Sequence, residues 1–269
     1  MSQSIMKIEK IYVYPVKSLG AISLETAELE NTGFKYDRKW LLLSDKGEVL
    51  TQRTIPALSN FKCEFASGGL EVIYDLKQTR IQIPFNKDNR KRFEFQLWDD
   101  PVSGFEVAEH ISQWFSDLLG QKVYLLVQSI QHPRFVDPRY AKSGNETVSF
   151  ADGYPILVVS EESLSLLNSK LTKKVEMLRF RPNLVISGLG PHEEDHLGQF
   201  KIGEAELMGV KKCARCNMIN LDKNLQLFEK EPLQILSSYR RDKNKVFFGQ
   251  NVLVHKTGIL KVGQELEPY

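Results

Sequence analysis

The chain has 269 residues and nearly balanced charge, with 36 Lys and Arg residues against 34 Asp and Glu residues and a formal net charge of +2. This length suits one or two domains with a substantial core, and the small net charge excludes a global field for polyanions, so any basic site must be local. Three cysteines are too few for a secreted disulfide scaffold, and no apolar run reaches the ~18 residues that cross a bilayer.

The N-terminal sequence, residues 1–7, lacks the basic-then-apolar pattern of a secretory signal and has no small-residue cleavage site. Sparse cysteines fit a reducing compartment. We therefore expect a cytoplasmic protein with reduced thiols, no membrane segment and no nucleic-acid partner.

Residues 1–105 are predicted to be mostly strand, because they contain several short runs rich in aliphatic and aromatic residues. The predicted strands are 11–14, 39–43, 70–74, 80–83 and 92–97. Turn-forming residues separate them at 45–47, 67–69 and 86–89. Closely spaced short strands of this kind indicate a barrel or a sandwich.

The first predicted helix spans residues 107–119, where apolar residues recur at helical spacing and Gly120 provides a C-terminal stop. A strand is predicted at 122–127. Residues 131–149 are polar and turn-rich, which predicts a long loop of the kind that often borders a functional site.

A second section of alternating elements follows this loop. The pattern predicts a buried strand at 156–159, a helix at 161–171 with Ser160 as its N-cap, and a strand at 184–186. A hairpin at 200–207, a short helix at 232–239 and two strands at 251–255 and 258–262 complete the prediction. The expected fold class is therefore mainly β with some helix (α+β), with a β-rich first part and a barrel-like second part.

Two of the three cysteines, Cys213 and Cys216, lie three residues apart among the cations Lys211, Lys212 and Arg215. Nearby positive charge lowers the pKa of a thiol, so we expect this segment to hold a thiolate at neutral pH.

Four roles remain open for the pair. A structural zinc site needs four protein ligands, and the sequence offers no second pair to complete it. A redox dithiol needs a helix N-terminus in a βαβ unit, whereas these flanks are predicted to be extended. Inert cysteines are the third possibility. The cations favour the fourth, a single thiolate ligand for a soft metal next to a phosphate site.

Three basic segments are candidate phosphate contacts. Lys17 and Ser18 precede a glycine turn, where a lysine and a hydroxyl can hold a phosphate; the alternative is a solvated turn. Arg38 begins a strong strand, and its alternative role is a surface ion pair with Asp37. If residues 179–181 are extended, Arg179 and Arg181 share one face and could bind phosphate, or they could be edge-strand cations that deter aggregation.

Taken together, the segments resemble one family along nearly the whole chain. The matching motifs are Tyr14-Pro15-Val16-Lys17-Ser18, Tyr36-Asp37-Arg38-Lys39-Trp40, Thr51-Gln52-Arg53, Leu97-Trp98-Asp99-Asp100, Phe150-Ala151-Asp152-Gly153-Tyr154-Pro155, Phe180-Arg181-Pro182-Asn183 and Cys213-Ala214-Arg215-Cys216, with 248–250 and 258–263 near the end. In this order they resemble the MOSC family, named for the C-terminal domain of molybdenum cofactor sulfurase. The similar branch includes mitochondrial amidoxime-reducing components and bacterial YcbX-type proteins.

This resemblance implies an N-terminal β-rich domain at residues 1–105, a β-barrel MOSC domain at 106–269 and a cofactor site between them. The implied cofactor is molybdenum held by a pyranopterin, with Cys216 as a protein ligand to the metal and a catalytic residue. The implied cofactor contacts are Lys17, Ser18, Arg38, Ser160, Arg181, Asn183 and Arg215. Asp152 is implied to lie near the cofactor, in catalysis or in orienting a loop.

The implied activity is two-electron reduction of N-hydroxylated small molecules such as amidoximes, hydroxylamines and N-hydroxylated bases. Some relatives carry an iron–sulfur domain, but this sequence has too few cysteines for one. We therefore expect electrons from a separate flavoprotein, ferredoxin or cytochrome. Two alternatives remain: a sulfurtransferase that carries a persulfide on Cys216 and needs a pyridoxal-phosphate desulfurase partner, or a cofactor carrier without turnover.

Overall fold

The computed structural model describes residues 5–85, 91–129, 132–222 and 224–269. Its helices are α1 (Glu109–Leu119), α2 (Glu161–Asn168) and α3 (Leu233–Tyr239). Its strands, in chain order, are β1 (Lys7–Val13), β2 (Ile22–Leu24), β3 (Thr26–Glu30), β4 (Gly33–Phe34), β5 (Trp40–Ser44), β6 (Phe61–Ala66), β7 (Gly69–Tyr74), β8 (Thr79–Pro84), β9 (Arg92–Leu97), β10 (Asp100–Glu106), β11 (Val123–Gln128), β12 (Arg134–Phe135), β13 (Thr147–Val148), β14 (Ile156–Ser160), β15 (Leu184–Ser187), β16 (Gln199–Ile202), β17 (Ala205–Arg215), β18 (Leu221–Asp222), β19 (Leu227–Phe228), β20 (Arg241–Asp242), β21 (Lys245–Lys256), β22 (Gly258–Lys261) and β23 (Glu267–Pro268). The predicted class, mainly β with some helix, is confirmed.

The largest sheet in the described ranges has nine strands in the order β2-β1-β15-β14-β21-β17-β16-β23, with β20 paired to β21. Strand β1 enters it by antiparallel pairing with β15, which is itself parallel to β14. Apolar residues of β1, β14, β15, β17 and β21 form one buried core between this sheet and its neighbours. The beginning of the chain is therefore built into a sheet made mostly of residues after 150.

The first part of the chain forms a second core. The four-stranded sheet β5-β11-β10-β9 and the three-stranded sheet β6-β7-β8 contribute to it, together with helix α1. Ile111 and Phe115 of α1 are completely buried there. Helix α1 thus packs with residues before 105, and a third sheet, β22-β3-β4, joins the two parts of the chain. The division at residue 105 stays a prediction.

The predicted elements are present with shifted ends. Helix α1 begins at Glu109 instead of residue 107 and stops at Gly120, whose φ of 66° suits a glycine C-cap. Ser160 caps α2 as predicted, but this helix ends at Asn168 instead of 171. The long loop after residue 131 contains the paired short strands β12 and β13. The predicted turn at 86–89 and the first loop residue, Gln131, lie outside the described residues.

One predicted conformation is wrong. Residues 177–180 form a 3-10 helix, and Arg181 follows in the left-handed region with φ of 52°, so the segment is not extended. Arg179 and Arg181 therefore do not share the face of a strand, although both line the cavity discussed below. No helix in the described ranges is both long and apolar enough to cross a membrane.

Candidate functional site

A cavity of about 160 Å³ lies where loops of the first part meet the C-terminal end of β17. Of the residues predicted to form the site, the cavity is lined by Lys17, Ser18, Arg38, Asp152, Arg181, Asn183, Arg215 and Cys216. Ser160 is not among the lining residues. Its buried hydroxyl accepts a hydrogen bond from the Ser163 amide at 3.1 Å and contacts the Glu194 carboxylate at 2.9 Å, so its contacts are those of a helix cap.

Arg38 forms the floor of the cavity through a buried ion pair. Its Nη1 donates to Asp37 Oδ2 at 2.6 Å and to Asn183 Oδ1 at 3.1 Å. The Asp37 side chain is completely buried and that of Arg38 is 12% exposed, so the alternative of a surface ion pair is wrong. Asp37 also accepts the Tyr14 amide at 2.8 Å, which ties the strand end before Lys17 to the same pair.

Tyr14 lies between two guanidinium groups. The guanidinium carbons of Arg38 and Arg181 are 4.3 and 4.2 Å from the centre of its ring, close enough for cation–π attraction. Arg181 Nη1 donates to the Leu19 carbonyl at 2.9 Å, whereas its Nη2 is buried without a hydrogen-bond partner among the described residues. Burial lowers the pKa of Arg181 to about 10, so the side chain remains cationic at neutral pH.

Arg215 reaches the cavity at a point where the backbone at Gly249 lies close to the backbone at Val158. Its Nε donates to the Phe248 carbonyl and its Nη1 to the Phe180 carbonyl, both at 2.8 Å. Gly249 adopts φ of 80°, and a Cβ there would lie 2.7 Å from the Val158 carbonyl and 3.4 Å from Arg215 Nη2, so only glycine fits. The Nη2 atom of Arg215 is buried and, within the described part of the chain, has no partner.

Lys17 and Asp152 form an ion pair at the cavity wall. Lys17 Nζ donates to Asp152 Oδ1 at 2.6 Å and to the Phe150 carbonyl at 2.9 Å. Burial lowers the pKa of Lys17, and the Asp152 charge offsets part of this effect. Partial desolvation raises the pKa of the Asp152 carboxyl, whose side chain stays 73% exposed, but the Lys17 ammonium and the Arg53 guanidinium lower this pKa by more, so the carboxyl stays ionised.

The two cysteines of the motif differ in environment. Register shifts between β17 and β21 at Gly209–Lys211 and Lys212–Ala214 place irregular backbone just before the motif. Cys216 is exposed and directly precedes the 3-10 turn at 217–220, whereas Cys213 is half-buried. Burial raises the pKa of the Cys213 thiol, so the expectation that the segment's cations favour a thiolate is wrong for Cys213.

Two site residues, Arg53 and Trp98, received no role from the sequence. Arg53 Nη1 lies 3.9 Å from Cys216 Sγ, and its guanidinium carbon is 4.4 Å from the centre of the Trp98 ring. Trp98 Nε1 in turn donates to Asp152 Oδ1 at 3.3 Å. Both residues belong to motifs of the resemblance, Thr51-Gln52-Arg53 and Leu97-Trp98-Asp99-Asp100, and that membership was the available signal.

A larger cavity of about 800 Å³ adjoins the first. The two share Arg179, Arg181 and Met218 in their walls, and the larger one extends between Leu19–Ser23 and Lys173–Glu176. A cavity of this volume is within the range that holds a drug-sized ligand, whereas 160 Å³ is below that range.

The donor set fits a metal that brings other ligands and an anion with it. Within the described ranges, no group of three or more His, Cys, Asp or Glu residues could bind a metal ion by itself. The cavity offers one exposed thiol and, on Arg179, Arg181 and Arg215, three guanidinium nitrogens that have no hydrogen-bond partner among the described residues. A thiolate suits a soft metal, and guanidinium groups suit a phosphate, so these residues fit a soft metal that lies beside a phosphate group.

Two protein-family models match most of the chain. Residues 5–122 match the MOSC N-terminal beta barrel domain, and residues 145–267 match the MOSC domain. The chain is 32% identical to a molybdenum cofactor sulfurase of Oryza sativa subsp. japonica over 97% of its own length, but it spans only 35% of that protein.

Shorter relatives align over most of their length. The chain is 31% identical to mitochondrial amidoxime-reducing component 1 of Danio rerio, covering 96% of this chain and 83% of the relative. It is 32% identical to the corresponding protein of Mus musculus, covering 97% of this chain and 82% of the relative. The matched domains and the extent of these alignments place the chain in the MOSC family, and the matched domain together with the name of the sulfurase supports a function related to the molybdenum cofactor.

Proposed function

We propose that the protein is a molybdenum-cofactor-dependent oxidoreductase that reduces N-hydroxylated compounds such as amidoximes, hydroxylamines and N-hydroxylated bases. The observation that carries the proposal is one exposed thiol, Cys216, in a cavity where the Nη2 atoms of Arg181 and Arg215 have no partner within the described residues. The names of the relatives that align over most of their length support this direction of chemistry.

Each group of the cavity has a role in holding the cofactor. Cys216 would ligate the metal, and Arg181 and Arg215 would bind phosphate, with Lys17, Ser18, Arg38 and Asn183 completing the contacts. The adjoining 800 Å³ cavity provides the volume that the smaller cavity lacks for the pterin. When bound, the cofactor would supply two-electron transfer at molybdenum.

The chain's own contribution to the reaction is binding and proton supply. The net change is R–NH–OH + 2e⁻ + 2H⁺ → R–NH₂ + H₂O. Lys17 holds a proton at Nζ, 2.6 Å from Asp152 Oδ1, and the Asp152 side chain is 73% exposed, so the pair can pass a proton to the departing oxygen. The electrons come from a separate flavoprotein, ferredoxin or cytochrome, and the proposed setting is the cytoplasm.

The metal assignment is tested by comparing Cys216→Ala with Cys213→Ala in protein made by a cofactor-competent host. We expect molybdenum content to fall at least about tenfold in Cys216→Ala, because a ligand is lost, and to stay near the wild-type level in Cys213→Ala. Circular dichroism checks that both variants fold. Equal molybdenum content in the two variants would show that Cys216 is not a ligand of the metal.

The activity is tested with the wild-type protein, an amidoxime and reduced methyl viologen as electron source. Formation of the amidine in proportion to molybdenum content is the expected result. Bound molybdenum without any N-reduction would instead support the cofactor carrier.

The sulfurtransferase remains a second candidate, because Cys216 is exposed and a molybdenum cofactor sulfurase is among the relatives. In that function Cys216 would accept a sulfur atom from a pyridoxal-phosphate-dependent desulfurase. Mass spectrometry would then show one added sulfur atom on Cys216 in protein that contains no pterin. The same measurement on Cys213 provides the control.

A further inference from the structure

Trp98 occupies a backbone position that does not suit it. Strands β9 and β10 pair from Leu97 and Asp100 outward, so Trp98 and Asp99 form a two-residue hairpin turn. Trp98 adopts φ of 58°, in the left-handed region, where the first residue of such a turn is most often glycine. The side chain is also 51% exposed, so neither the turn nor the core explains a large aromatic residue here. Strained residues of this kind concentrate at binding sites.

The contacts of the indole all point toward the candidate site. Trp98 Nε1 donates to Asp152 Oδ1 at 3.3 Å, and the ring stacks on the Arg53 guanidinium at 4.4 Å. Arg53 Nη1 in turn lies 3.9 Å from Cys216 Sγ. The indole therefore links the Asp152 carboxylate to the arginine beside the candidate metal ligand.

The hairpin tip that carries Trp98 is fixed relative to the cavity. Arg134, whose side chain is 5% exposed, donates from Nε to Asp100 Oδ2 at 2.6 Å. Its Nη2 donates to the Asp152 carbonyl at 3.0 Å, and its Nη1 donates to the Ala151 carbonyl. A buried guanidinium thus joins the turn after Trp98 to the loop of Asp152. Such support gives a recognition surface a constant geometry.

We propose that Trp98 and Arg53 form a substrate-recognition surface beside the cavity, which Arg53 lines and which Trp98 adjoins through its contacts with Arg53 and Asp152, and that this surface selects planar aromatic N-hydroxylated compounds. The exposed indole stacks with the aromatic ring of the substrate, and Arg53 donates a hydrogen bond to the oxygen of its N–O group. This inference rests on the proposed function and adds to it the part of the chain that chooses the substrate.

The test compares benzamidoxime with acetamidoxime, two amidoximes that differ in the presence of an aromatic ring. Both are reduced by the molybdenum-loaded protein with reduced methyl viologen, and rates are normalised to molybdenum content. In Trp98→Gly we expect kcat/KM for benzamidoxime to fall about tenfold and that for acetamidoxime to change less than about twofold. Glycine removes the indole but accepts the positive φ, so the turn itself is retained.

Lys243→Gly is the matched control. Lys243 has φ of 51° and begins the two-residue turn between β20 and β21, and, unlike Trp98, it has no contact with Arg53 or Asp152 among the described residues. We expect its kinetics with both amidoximes to equal those of the wild type. Equal losses with the two substrates in Trp98→Gly, or no loss with either, would overturn the proposal.

A binding measurement gives an independent readout. Titration with benzamidine, the aromatic product, is expected to quench tryptophan fluorescence in the wild-type protein and in Lys243→Gly. In Trp98→Gly the quenching should disappear, since Trp40 is buried and Trp114 packs against Phe61 and Phe115. Persistent quenching in Trp98→Gly would contradict stacking on Trp98. If the wild type reduces neither amidoxime, the proposed function fails, whereas the fluorescence result still decides whether Trp98 binds aromatic ligands.

Discussion

Two clusters of polar side chains differ in how their charges are matched. In the cavity cluster, five cations face two carboxylates; its members are Lys17, Arg38, Arg53, Arg181, Arg215, Asp37 and Asp152. The acidic cluster contains Ser160, Ser163, His192, Glu194, Asp195 and Arg240. Its carboxylates have partners within the chain: both serine hydroxyls reach Glu194, and Arg240 pairs with Asp195.

The difference in charge indicates which of the two clusters would bind an anion. Excess positive charge and free guanidinium donors in the cavity cluster are costly until an anion binds, because a buried donor without a partner loses its hydration. The acidic cluster also contains buried atoms without a hydrogen-bond partner among the described residues, on His192, Glu194 and Asp195, but its carboxylates lie beside Lys212 and Arg240 and it carries no excess positive charge. Ser160 belongs to the acidic cluster. It was predicted as a cofactor contact, but in the structure it caps helix α2.

The largest effect should come from removing the buried countercharge of the cavity cluster. Asp37→Ala leaves the Arg38 guanidinium without its ion-pair partner, and we expect a loss of about 3–5 kcal/mol in the free energy of unfolding. Urea denaturation measures it. Lys62→Ala breaks an exposed pair with Asp75 and should cost about 1 kcal/mol or less; a similar loss in both variants would argue against a buried, essential pair.

Inorganic phosphate should stabilise the cofactor-free protein through the cavity cluster. At about 100 times its dissociation constant we expect a gain of about 2.7 kcal/mol, measured against sodium chloride of equal ionic strength. The gain should vanish in the double variant Arg181→Gln/Arg215→Gln and persist in Glu194→Gln. Equal stabilisation of all three proteins would show that phosphate acts elsewhere.

The acidic cluster should make stability depend on pH through His192. Burial, with a smaller contribution from Arg240, lowers the pKa of His192 from 6.5 to about 4. A depressed pKa contributes stability above pH 6.5 that is lost as the pH falls toward 4, an expected loss of about 2 kcal/mol. Burial raises the pKa of Glu194, which acts in the opposite sense, so the comparison must isolate His192.

His192→Asn removes the titrating group, and asparagine accepts the φ of 67° at this position. Denaturation series at pH 4 and pH 7 should show a smaller difference for the variant than for the wild type. Identical differences would mean that His192 does not contribute.

The smallest effect concerns Ser160. Ser160→Ala removes the cap of α2, and we expect a loss of about 1 kcal/mol with unchanged molybdenum content per folded protein. Molybdenum analysis and thermal denaturation are made on the same sample. Loss of metal without loss of stability would show that Ser160 contributes to the cofactor site.

Sequence patterns predicted helices and strands well where the residues of a short segment are enough to determine its conformation. The alternating residues of β8 and β9 and the apolar stripe of α1 are properties of short segments. Strand β10 was missed because Pro101 and Gly104 weaken its pattern, and its pairing with β9 and β11 outweighs that weakness. The 3-10 turn before Arg181 was likewise decided by tertiary packing.

The sequence predicted those residues of the candidate site whose chemistry follows from the residue type alone. Lys17, Arg38, Arg181 and Arg215 were identified because cations near a thiol suggest phosphate and metal, and the resemblance assigned their positions. Arg53 and Trp98 were not, since their importance comes from contacts between residues 53, 98 and 216, which no local pattern encodes. Burial was equally invisible, and it decides the pKa of Cys213.

The pairing of β1 with β15 and of β3 with β22 also determines when the protein can fold. Ile8 pairs with Ile186, and Thr26 pairs with Lys261, so these two strands must wait for partners that are made much later in synthesis. Contacts between such distant segments slow folding and prevent the first part from closing its sheets independently. The cavity that joins Lys17 to Cys216 therefore forms only after the segments on both sides of it have been translated, and a cofactor can enter it only after that step.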